Sequence, residues 1–397
     1  MDADEQTSRF ILNQHRQTEP VWPAALTGPF QVGAVRAVHK AMAGYSPTPL
    51  ISLPHLAARL GVGEILVKDE SFRFSLKAFK ILGASYAIDC FLRRELDRPG
   101  LRPGDIYRNR RLVPAGLHTF CTATDGNHGR AVAHIARIMR QYSAIFVPSD
   151  TVPARIDNIR REGARVTVVD GCYDDAVKAA ISSAQQNGWQ IISDTSWPGY
   201  EEIPRDVSAG YITLFDEIKG VTAGQTSFDL IFIPGGVGTL AACGAWYYRH
   251  GPGKSTAKLI CVEPTESACL LESAADPQGR PTPSKGNLKT IMAGLNCANI
   301  SPVVWPLIRD AFDGFLAIDD SWAVQAMRAY YFPSDDDRQI VAGESGAATL
   351  AALLALINDP KLESARAAIG LNPKSRILLL NTEGDTDPDH FTRVVLS

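Results

Sequence analysis

Short apolar runs alternate with helix-length amphipathic stretches along most of the chain, and this alternation constrains the fold more than any other feature. The runs are rich in Val, Ile and Leu, and most contain no polar residue, which is typical of parallel strands covered on both faces. The predicted strands are residues 64–67, 119–122, 144–147, 166–169, 190–192, 230–233, 259–262, 314–318 and 376–380. The predicted helices are residues 79–95, 127–141, 153–162, 174–187, 238–249 and 345–357. The pattern predicts an α/β fold.

Length and charge limit the number of domains and the kind of partner. A chain of 397 residues is too long for one ordinary core, so we expect two domains. Its 40 Lys and Arg against 43 Asp and Glu leave a net charge of −3, which argues against nucleic acid or an anionic membrane as a partner. The longest apolar stretch, residues 346–357, is shorter than the roughly 18 residues that span a bilayer. We therefore expect a small-molecule partner and no membrane.

Cysteine usage and the N-terminus indicate the compartment. The 7 cysteines have no CxxC spacing, so neither a disulfide scaffold nor a metal site is predicted. Residues 1–7 are acidic and lack the basic and apolar regions of a signal peptide. The sequence therefore predicts a cytoplasmic protein.

The first candidate site is the glycine loop, which follows a predicted strand and begins a predicted helix. It consists of Gly235, Gly236, Val237, Gly238 and Thr239. Glycines at such a junction allow a tight turn that aims N–H groups and the positive end of the helix dipole at an anion. The loop is not a Walker A motif, because no Gly-Lys-Ser/Thr follows. A plain turn remains an alternative, and Glu263 after the next strand keeps a dinucleotide site open.

Two further segments carry polar groups near predicted helix starts. In CTATDGNHGR (121–130), Asp125, Asn127 and His128 lie at the carboxyl end of a strand, where open α/β sheets bind ligands. Alternatively, Asp125 or Asn127 caps the helix. In SFRFSLKAFKILG (71–83), Lys77 and Lys80 begin a helix, and the apolar neighbours of Lys80 suit an amine that forms a Schiff base.

The last predicted strand ends in the hydroxyl and carboxylate residues of NTEGDTD (381–387), which alternatively form an ordinary polar turn. Taken together, the segments supply a lysine, an anion-binding loop, an asparagine and a hydroxyl group. These are the groups that hold pyridoxal 5′-phosphate, which we therefore predict as the cofactor.

On these motifs the chain resembles the fold-type II pyridoxal-phosphate enzymes and, within them, the diaminopropionate ammonia-lyase family. The matching stretches are collinear over most of the chain: RFSLKAFKILGASYA (73–87), ATDGNHGR (123–130), SDTSWPGY (193–200), GGVGTLAA (235–242), CVEPTESACL (261–270), TIMAGLNC (290–297), AGESGAATL (342–350) and NTEGDTDP (381–388). The resemblance implies an α/β fold like that of tryptophan synthase β, with two open twisted sheets flanked by helices. It implies a large cofactor-binding domain of residues 1–86 and 196–397, an inserted small domain of residues 87–195, and a homodimer.

The resemblance also implies roles for single residues. Lys80, rather than Lys77, is the Schiff-base lysine; Asn127 contacts the ring hydroxyl of the cofactor, the glycine loop its phosphate and Thr382 its pyridine nitrogen. A neutral hydroxyl cannot keep that nitrogen protonated, which favours loss of a β-substituent over transamination. Asp125 and Asp194 are the implied further acid/base groups.

The implied reaction is the α,β-elimination of ammonia from 2,3-diaminopropionate, which gives pyruvate and ammonia. Lys80 removes the α-proton on one face and Asp125 on the other, so that both enantiomers react, and Asp125 or Asp194 holds the departing β-amine. The nearest alternative is a dehydratase, β-eliminase or β-substitution enzyme that acts on serine, threonine or another amino acid. A cofactor-binding regulator without catalysis and a nicotinamide-dependent oxidoreductase are alternatives from other classes.

The chain departs from the family pattern next to Lys80. Ser75 stands where Gly is expected, and Lys77 where Asn is expected, so a second cation lies close to Lys80 in the sequence. Such a cation disfavours the charged form of Lys80 or repels a diamino substrate. Cys269 and Cys297 match a cysteine pair of the relatives, and two free thiols are the alternative.

Overall fold

The computed structural model describes residues 8–222 and 227–397. Residues 1–7, on which the prediction of no signal peptide depends, lie outside the described residues. The strands are β1 (Arg9–Leu12), β2 (Leu50–Ser52), β3 (Glu64–Asp69), β4 (Thr119–Ala123), β5 (Tyr142–Pro148), β6 (Arg165–Val169), β7 (Gln190–Ile191), β8 (Leu230–Pro234), β9 (Lys258–Pro264), β10 (Gly314–Ile318) and β11 (Arg376–Asn381). Each of the predicted strands is present, which confirms the α/β class.

Helices follow most of the strands. They are α1 (Ala24–Thr27), α2 (Val32–Ala41), α3 (Pro54–Leu60), α4 (Lys80–Leu96), α5 (Asp105–Arg108), α6 (Asn127–Ile138), α7 (Pro153–Arg161), α8 (Tyr173–Asn187), α9 (Glu202–Gly210), α10 (Ile212–Val221), α11 (Thr239–Arg249), α12 (Cys269–Ala275), α13 (Trp305–Ala311), α14 (Asp320–Tyr331), α15 (Ala348–Asn358), α16 (Glu363–Ile369) and α17 (Pro388–Leu396). Within the described residues, no helix is both long enough and apolar enough to cross a membrane.

The chain divides into two compact units. Unit 1 comprises Met1–Thr27, Thr48–Phe72 and Leu214–Ser397, so far as these are described, and unit 2 comprises Gly28–Pro47 and Arg73–Thr213. These bounds differ from the domains expected from the sequence, which divided the chain after residues 86 and 195. A division after residue 86 would cut α4, which is one continuous helix and packs against α2, α6 and α9 of unit 2.

Unit 1 contains a seven-stranded sheet in the order β1-β10-β9-β8-β11-β3-β2. Its inner strands are parallel, whereas β1 and β2 run antiparallel at the two edges. Helix α15 packs against β8, β9, β10 and β11 and is buried from Ala348 to Leu356, so the longest apolar stretch of the sequence is part of the core of this unit.

Unit 2 contains a four-stranded parallel sheet in the order β6-β5-β4-β7. Helix α8 places Ala176, Ala180 and Ala184 at the four-residue spacing of one helix face, and these small side chains pack closely against β4 and β5. Because the strands are parallel, the loops that follow β4, β5 and β7 all emerge at the same edge of the sheet.

A buried carboxylate ties α6 to the end of α7. Glu162 is 8% exposed and accepts hydrogen bonds from His134 Nδ1 at 2.9 Å and from Arg137 Nη2 at 2.8 Å. Burial alone would raise the pKa of Glu162, but the hydrogen bonds and charges of His134 and Arg137 outweigh it and lower that pKa to about 2.

We expect Glu162 to make the free energy of unfolding depend on pH in the acidic range. Because the folded-state pKa lies below the ordinary value, the stabilisation is complete above about pH 4.5 and is lost as the pH falls towards 2. Glu162→Gln should therefore lower the free energy of unfolding by about 2 kcal/mol at pH 7 and by much less at pH 3. Urea titrations at both pH values measure this difference. Glu201→Gln, which breaks an ion pair with Arg205 at the surface, should change the free energy of unfolding by less than about 0.5 kcal/mol. An equal effect of both variants would contradict the stabilising role of Glu162.

Candidate active site

The lysine cluster of unit 2, defined as Lys80, Asp125, Asn127, His128 and Asp194, is assembled by the ends of two neighbouring strands and the start of α4. Asp125 and Asn127 follow β4, and Asp194 follows β7, which pairs with β4 in parallel. Lys80 is the first residue of α4. The sequence motifs around Lys80, Asp125 and Asp194 are thus brought to one edge of the sheet.

Lys80 and Asp194 form a close ion pair. The Lys80 Nζ donates to Asp194 Oδ2 at 2.6 Å, and the two side chains are 17% and 8% exposed. Burial would raise the pKa of Asp194, but the charge of Lys80 outweighs it and lowers that pKa to about 2. Asp194 is therefore a carboxylate at neutral pH. The sequence indicated only the apolar neighbours of Lys80 along its helix, whereas its amine contacts a charged group.

Close helix packing fixes the start of α4. Gly83 and Gly210 allow α4 and α9 to approach, since a Cβ on Gly83 would lie 2.7 Å from the Tyr211 ring and one on Gly210 would lie 2.5 Å from the Leu82 carbonyl oxygen. The ring of Phe79 packs on that of Tyr211 with centroids 4.8 Å apart. These contacts restrict the position from which the Lys80 side chain extends.

His128 adjoins the ion pair, whereas the sequence indicated only that it lies at the carboxyl end of a strand. Its Nε2 donates to the Ile192 carbonyl at 2.8 Å, which leaves Nδ1 without a proton in the neutral ring. Nδ1 lies 4.0 Å from Asp194 Oδ2. Burial is the largest influence on His128 and lowers its pKa, so the ring is neutral at pH 7. The sequence shows His128 in the segment DGNHGR, but it cannot show that His128 lies near Asp194, because that depends on the pairing of β4 with β7.

The loop after β4 is held by a threonine at the start of α6. Helix α6 begins at Asn127, and the Thr124 hydroxyl accepts the N–H groups of Gly126 at 2.9 Å and Gly129 at 3.1 Å. Thr124 thus satisfies two N–H groups at this helix end. The side chains of Asp125 and Asn127 are half-buried at the sheet edge.

The glycine loop of unit 1 follows β8 and begins α11, as predicted. Gly236 and Gly238 have φ angles of +61° and +95°, which favour glycine. A Cβ on Gly235 would lie 2.7 Å from Glu263 Cγ and Leu270 Cδ1. Within residues 8–222 and 227–397, the N–H groups of Gly236 and Val237 have no hydrogen-bond acceptor. A narrow loop with unpaired N–H groups at a helix start fits a phosphate group.

Two more residues of unit 1, Thr382 and Glu263, lie near the ends of strands next to β8. Thr382 follows β11, which pairs with β8, and its buried hydroxyl donates to the Ser345 carbonyl at 3.4 Å. Glu263 accepts the N–H groups of Leu270 at 2.9 Å and Leu271 at 2.8 Å with its two oxygens, and burial raises its pKa to about 8. Glu263 thus holds the start of α12, so it is not placed to bind a ribose.

The two cysteines near the glycine loop are thiols. Cys269 Sγ lies 3.6 Å from the Gly236 carbonyl oxygen. All seven cysteines belong to the described residues, and each of them is free. Cys269 and Cys297 are therefore two thiols in the structure and do not form a disulfide.

Comparisons with known proteins agree with these features. Residues 41–380 match the family described as pyridoxal-phosphate dependent enzyme. The diaminopropionate ammonia-lyase of Salmonella typhimurium is 38% identical over 376 residues, which are 91% of each chain. The crystal structure of the Escherichia coli diaminopropionate ammonia lyase in complex with D-serine matches with a TM-score of 0.88 at 34% identity, over 98% of this chain and 97% of that chain. The complex of that enzyme with an aminoacrylate-PLP azomethine reaction intermediate matches with a TM-score of 0.87 at 34% identity, over 98% and 97%.

The chain therefore belongs to the pyridoxal-phosphate dependent enzymes, in their fold-type II class, and pyridoxal phosphate is its cofactor. Within that class it is a member of the diaminopropionate ammonia-lyase family. The predicted family, fold class and cofactor are confirmed, whereas the roles of the single site residues stay predictions.

The segment that leads to Lys80 has an unusual backbone. Phe74, Ser75 and Lys77 have φ angles of 49°, 59° and 58°, which L-residues other than Asn and Asp rarely adopt. Ser75 and Lys77 are exposed. These are the two positions at which Gly and Asn were expected, so the departures from the family pattern fall where the backbone favours Gly and Asn.

We expect Ser75→Gly to stabilise the protein, because glycine removes the steric cost of the left-handed conformation. The free energy of unfolding should rise by about 1 kcal/mol, measured as a shift of Tm. The matched control is Ser182→Gly, an exposed serine inside α8, which should lower stability by about 0.5 kcal/mol. A loss of stability in both variants would show that Ser75 makes contacts that outweigh its backbone strain.

Proposed function

We propose that this protein is a lyase that eliminates ammonia from 2,3-diaminopropionate and yields pyruvate and ammonia. The contact that carries the proposal is the 2.6 Å ion pair of Lys80 and Asp194, beside Asp125 at the same edge of the unit 2 sheet. A substrate with two amino groups brings an additional cation, and carboxylates suit it better than they suit a neutral hydroxyl leaving group. The identity of 38% to a diaminopropionate ammonia-lyase supports the same reaction.

Each part of the cofactor has a proposed partner. Lys80 joins its aldehyde, Asn127 faces its ring hydroxyl, and Thr382 faces its pyridine nitrogen. The glycine loop binds its phosphate through the N–H groups of Gly236 and Val237 and the start of α11. When bound, pyridoxal phosphate withdraws electrons from the α-carbon of the joined amino acid, so that the α-proton becomes acidic and a β-substituent can leave.

The acidic and basic side chains move the protons. Once the substrate amine has replaced it, the Lys80 amine takes the α-proton from one face of the substrate, and the Asp125 carboxylate takes it from the other face. Asp194 holds the Lys80 ammonium at 2.6 Å while the amine carries that proton. Asp194 or Asp125 then holds the β-ammonium as it leaves. Hydrolysis of the remaining three-carbon product releases pyruvate and the second ammonia.

The oligomeric state and the compartment are part of the same proposal. We propose a homodimer, as expected of fold-type II enzymes. We also propose a cytoplasmic location, which the seven free cysteines support because thiols persist in reducing compartments. The substrate is an amino acid.

Substrate profiling tests the reaction. We expect pyruvate release from D- and L-2,3-diaminopropionate to exceed release of the corresponding keto acids from serine, threonine and O-acetylserine. Lys80→Ala should lower kcat at least about a thousandfold, because both the covalent link and a proton carrier are lost. Lys178→Ala, an exposed lysine of α8, is the matched control and should keep full activity. Faster turnover of serine or threonine would favour the dehydratase alternative.

The glycine loop has a separate test in cofactor binding. In Gly235→Ala the new Cβ must displace Glu263 or Leu270, so the loop shifts and its N–H groups lose their aim. We expect pyridoxal phosphate to bind at least about tenfold more weakly, a loss of about 1.4 kcal/mol, in a fluorescence titration. Gly220→Ala, where a Cβ meets nothing within 4 Å, should bind it as the wild type does. Unchanged binding in Gly235→Ala would place the phosphate elsewhere.

A further inference from the structure

Arg155 lies against Asp125, although the two residues belong to different parts of the sequence. Asp125 follows β4, and Arg155 is in α7, which follows the adjacent parallel strand β5. The Arg155 Nη1 is 4.0 Å from Asp125 Oδ2 and 3.5 Å from the Asp125 carbonyl oxygen. One guanidinium group thus reaches both the side chain and the main chain of Asp125.

The position of Arg155 is not explained by the stability of its own helix. Arg155 lies in the first turn of α7, where the positive end of the helix dipole disfavours a cation, and that turn contains no acidic residue. The other arginines of the helix, Arg160 and Arg161, lie in its last turn, where the dipole favours them. The Arg155 side chain is only 10% exposed. A buried cation at an unfavourable helix end calls for a carboxylate partner.

The backbone next to Asp125 leaves room for Arg155. Gly126 has φ +157°, and a Cβ at this position would come within 3.1 Å of Arg155 Cδ and 3.5 Å of Cγ. The aliphatic part of Arg155 therefore passes directly over Gly126. The Asp125 side chain is 39% exposed while Arg155 is covered, so the carboxylate can reach a small molecule that Arg155 does not touch.

Two groups that act on Asp125 belong to neighbouring helices of unit 2. Arg155 approaches it from α7, and His128 from α6 interacts with it electrostatically. Beyond His128 lies the ion pair of Asp194 and Lys80, in which the two charges compensate each other. His128 is neutral at pH 7 because burial lowers its pKa. Arg155, by contrast, pairs with Asp125 at 4.0 Å and keeps its charge at all working pH values.

We propose that Arg155 is a positioning residue for Asp125, which it holds ionised and oriented for proton transfer at the α-carbon of one enantiomer of the substrate. This inference rests on the proposed function, in which Asp125 serves one face of the substrate and Lys80 the other. Arg155 then controls how well the enzyme uses the Asp125-dependent enantiomer, and leaves the Lys80-dependent one nearly unaffected.

A double-mutant cycle with both enantiomers tests the proposal on the holoenzyme. Asp125→Asn identifies the enantiomer that depends on Asp125. For that enantiomer, Arg155→Gln should lower kcat/KM about tenfold or more, since loss of the cation displaces Asp125 and disfavours its ionised form. In the Asp125→Asn background the same change should cost less than about twofold, because coupled residues are not additive.

Three further measurements separate positioning from a general loss of structure. The acid limb of the pH profile for the Asp125-dependent enantiomer should move to higher pH in Arg155→Gln. Arg155→Lys, which keeps the charge, should recover part of the activity. Arg160→Gln, an exposed arginine on the same helix that pairs with Asp157 at 3.4 Å, should change neither enantiomer's rate.

Different results would contradict the role of Arg155 and the proposed reaction. Equal losses with both enantiomers, or an Arg155→Gln effect that persists in the Asp125→Asn background, would overturn the role of Arg155 while the elimination reaction stands. A wild-type enzyme that releases no pyruvate from either enantiomer would overturn the proposed function, and the inference with it. The Asp125-independent enantiomer reports on folding and cofactor retention in each variant.

Discussion

Parallel strand pairing is the constraint on which the chemistry of this protein depends. Successive parallel strands need a crossover, and the loops after them emerge at one edge of the sheet. In unit 2 the strands β5, β4 and β7 thereby bring Arg155, Asp125 and Asp194 to one edge, although the sequence separates them widely. In unit 1 the pairing of β8 with β11 does the same for the glycine loop and Thr382.

The two carboxylates of the lysine cluster have different partners. Asp194 is paired with Lys80 at 2.6 Å, so its charge is already engaged. Asp125 faces a permanent cation instead and keeps more of its side chain open to solvent. Two carboxylates at one sheet edge thus have different surroundings, which is the usual way for similar groups to take different tasks.

The sequence predicted the buried part of the fold well and its edges poorly. The strands covered on both faces appear as unbroken apolar runs, whereas β1 and β2 were missed because they are short, partly exposed edge strands. The motifs around Lys80, the glycine loop and Thr382 were found because each is local in sequence. Arg155 and the nearness of His128 to Asp194 were not, since both arise from strand order. The expected domain bounds followed the pattern of the family, which does not show that α4 packs as one helix against α2, α6 and α9.

The order of strands in unit 1 also bears on how the chain is synthesised. Strand β3 joins the sheet through β11, and Glu64 and Arg376, which pair across these two strands, are 312 residues apart. A ribosome therefore releases the β2–β3 pair long before its partner strand exists, while all of unit 2 is already available to fold. Until β11 is made, the apolar strand β3 lacks that neighbour in the sheet. Pairing of strands so far apart in the sequence is slow. Folding of the unit 1 sheet, unlike that of unit 2, therefore cannot be completed before the last strand of the chain has been synthesised.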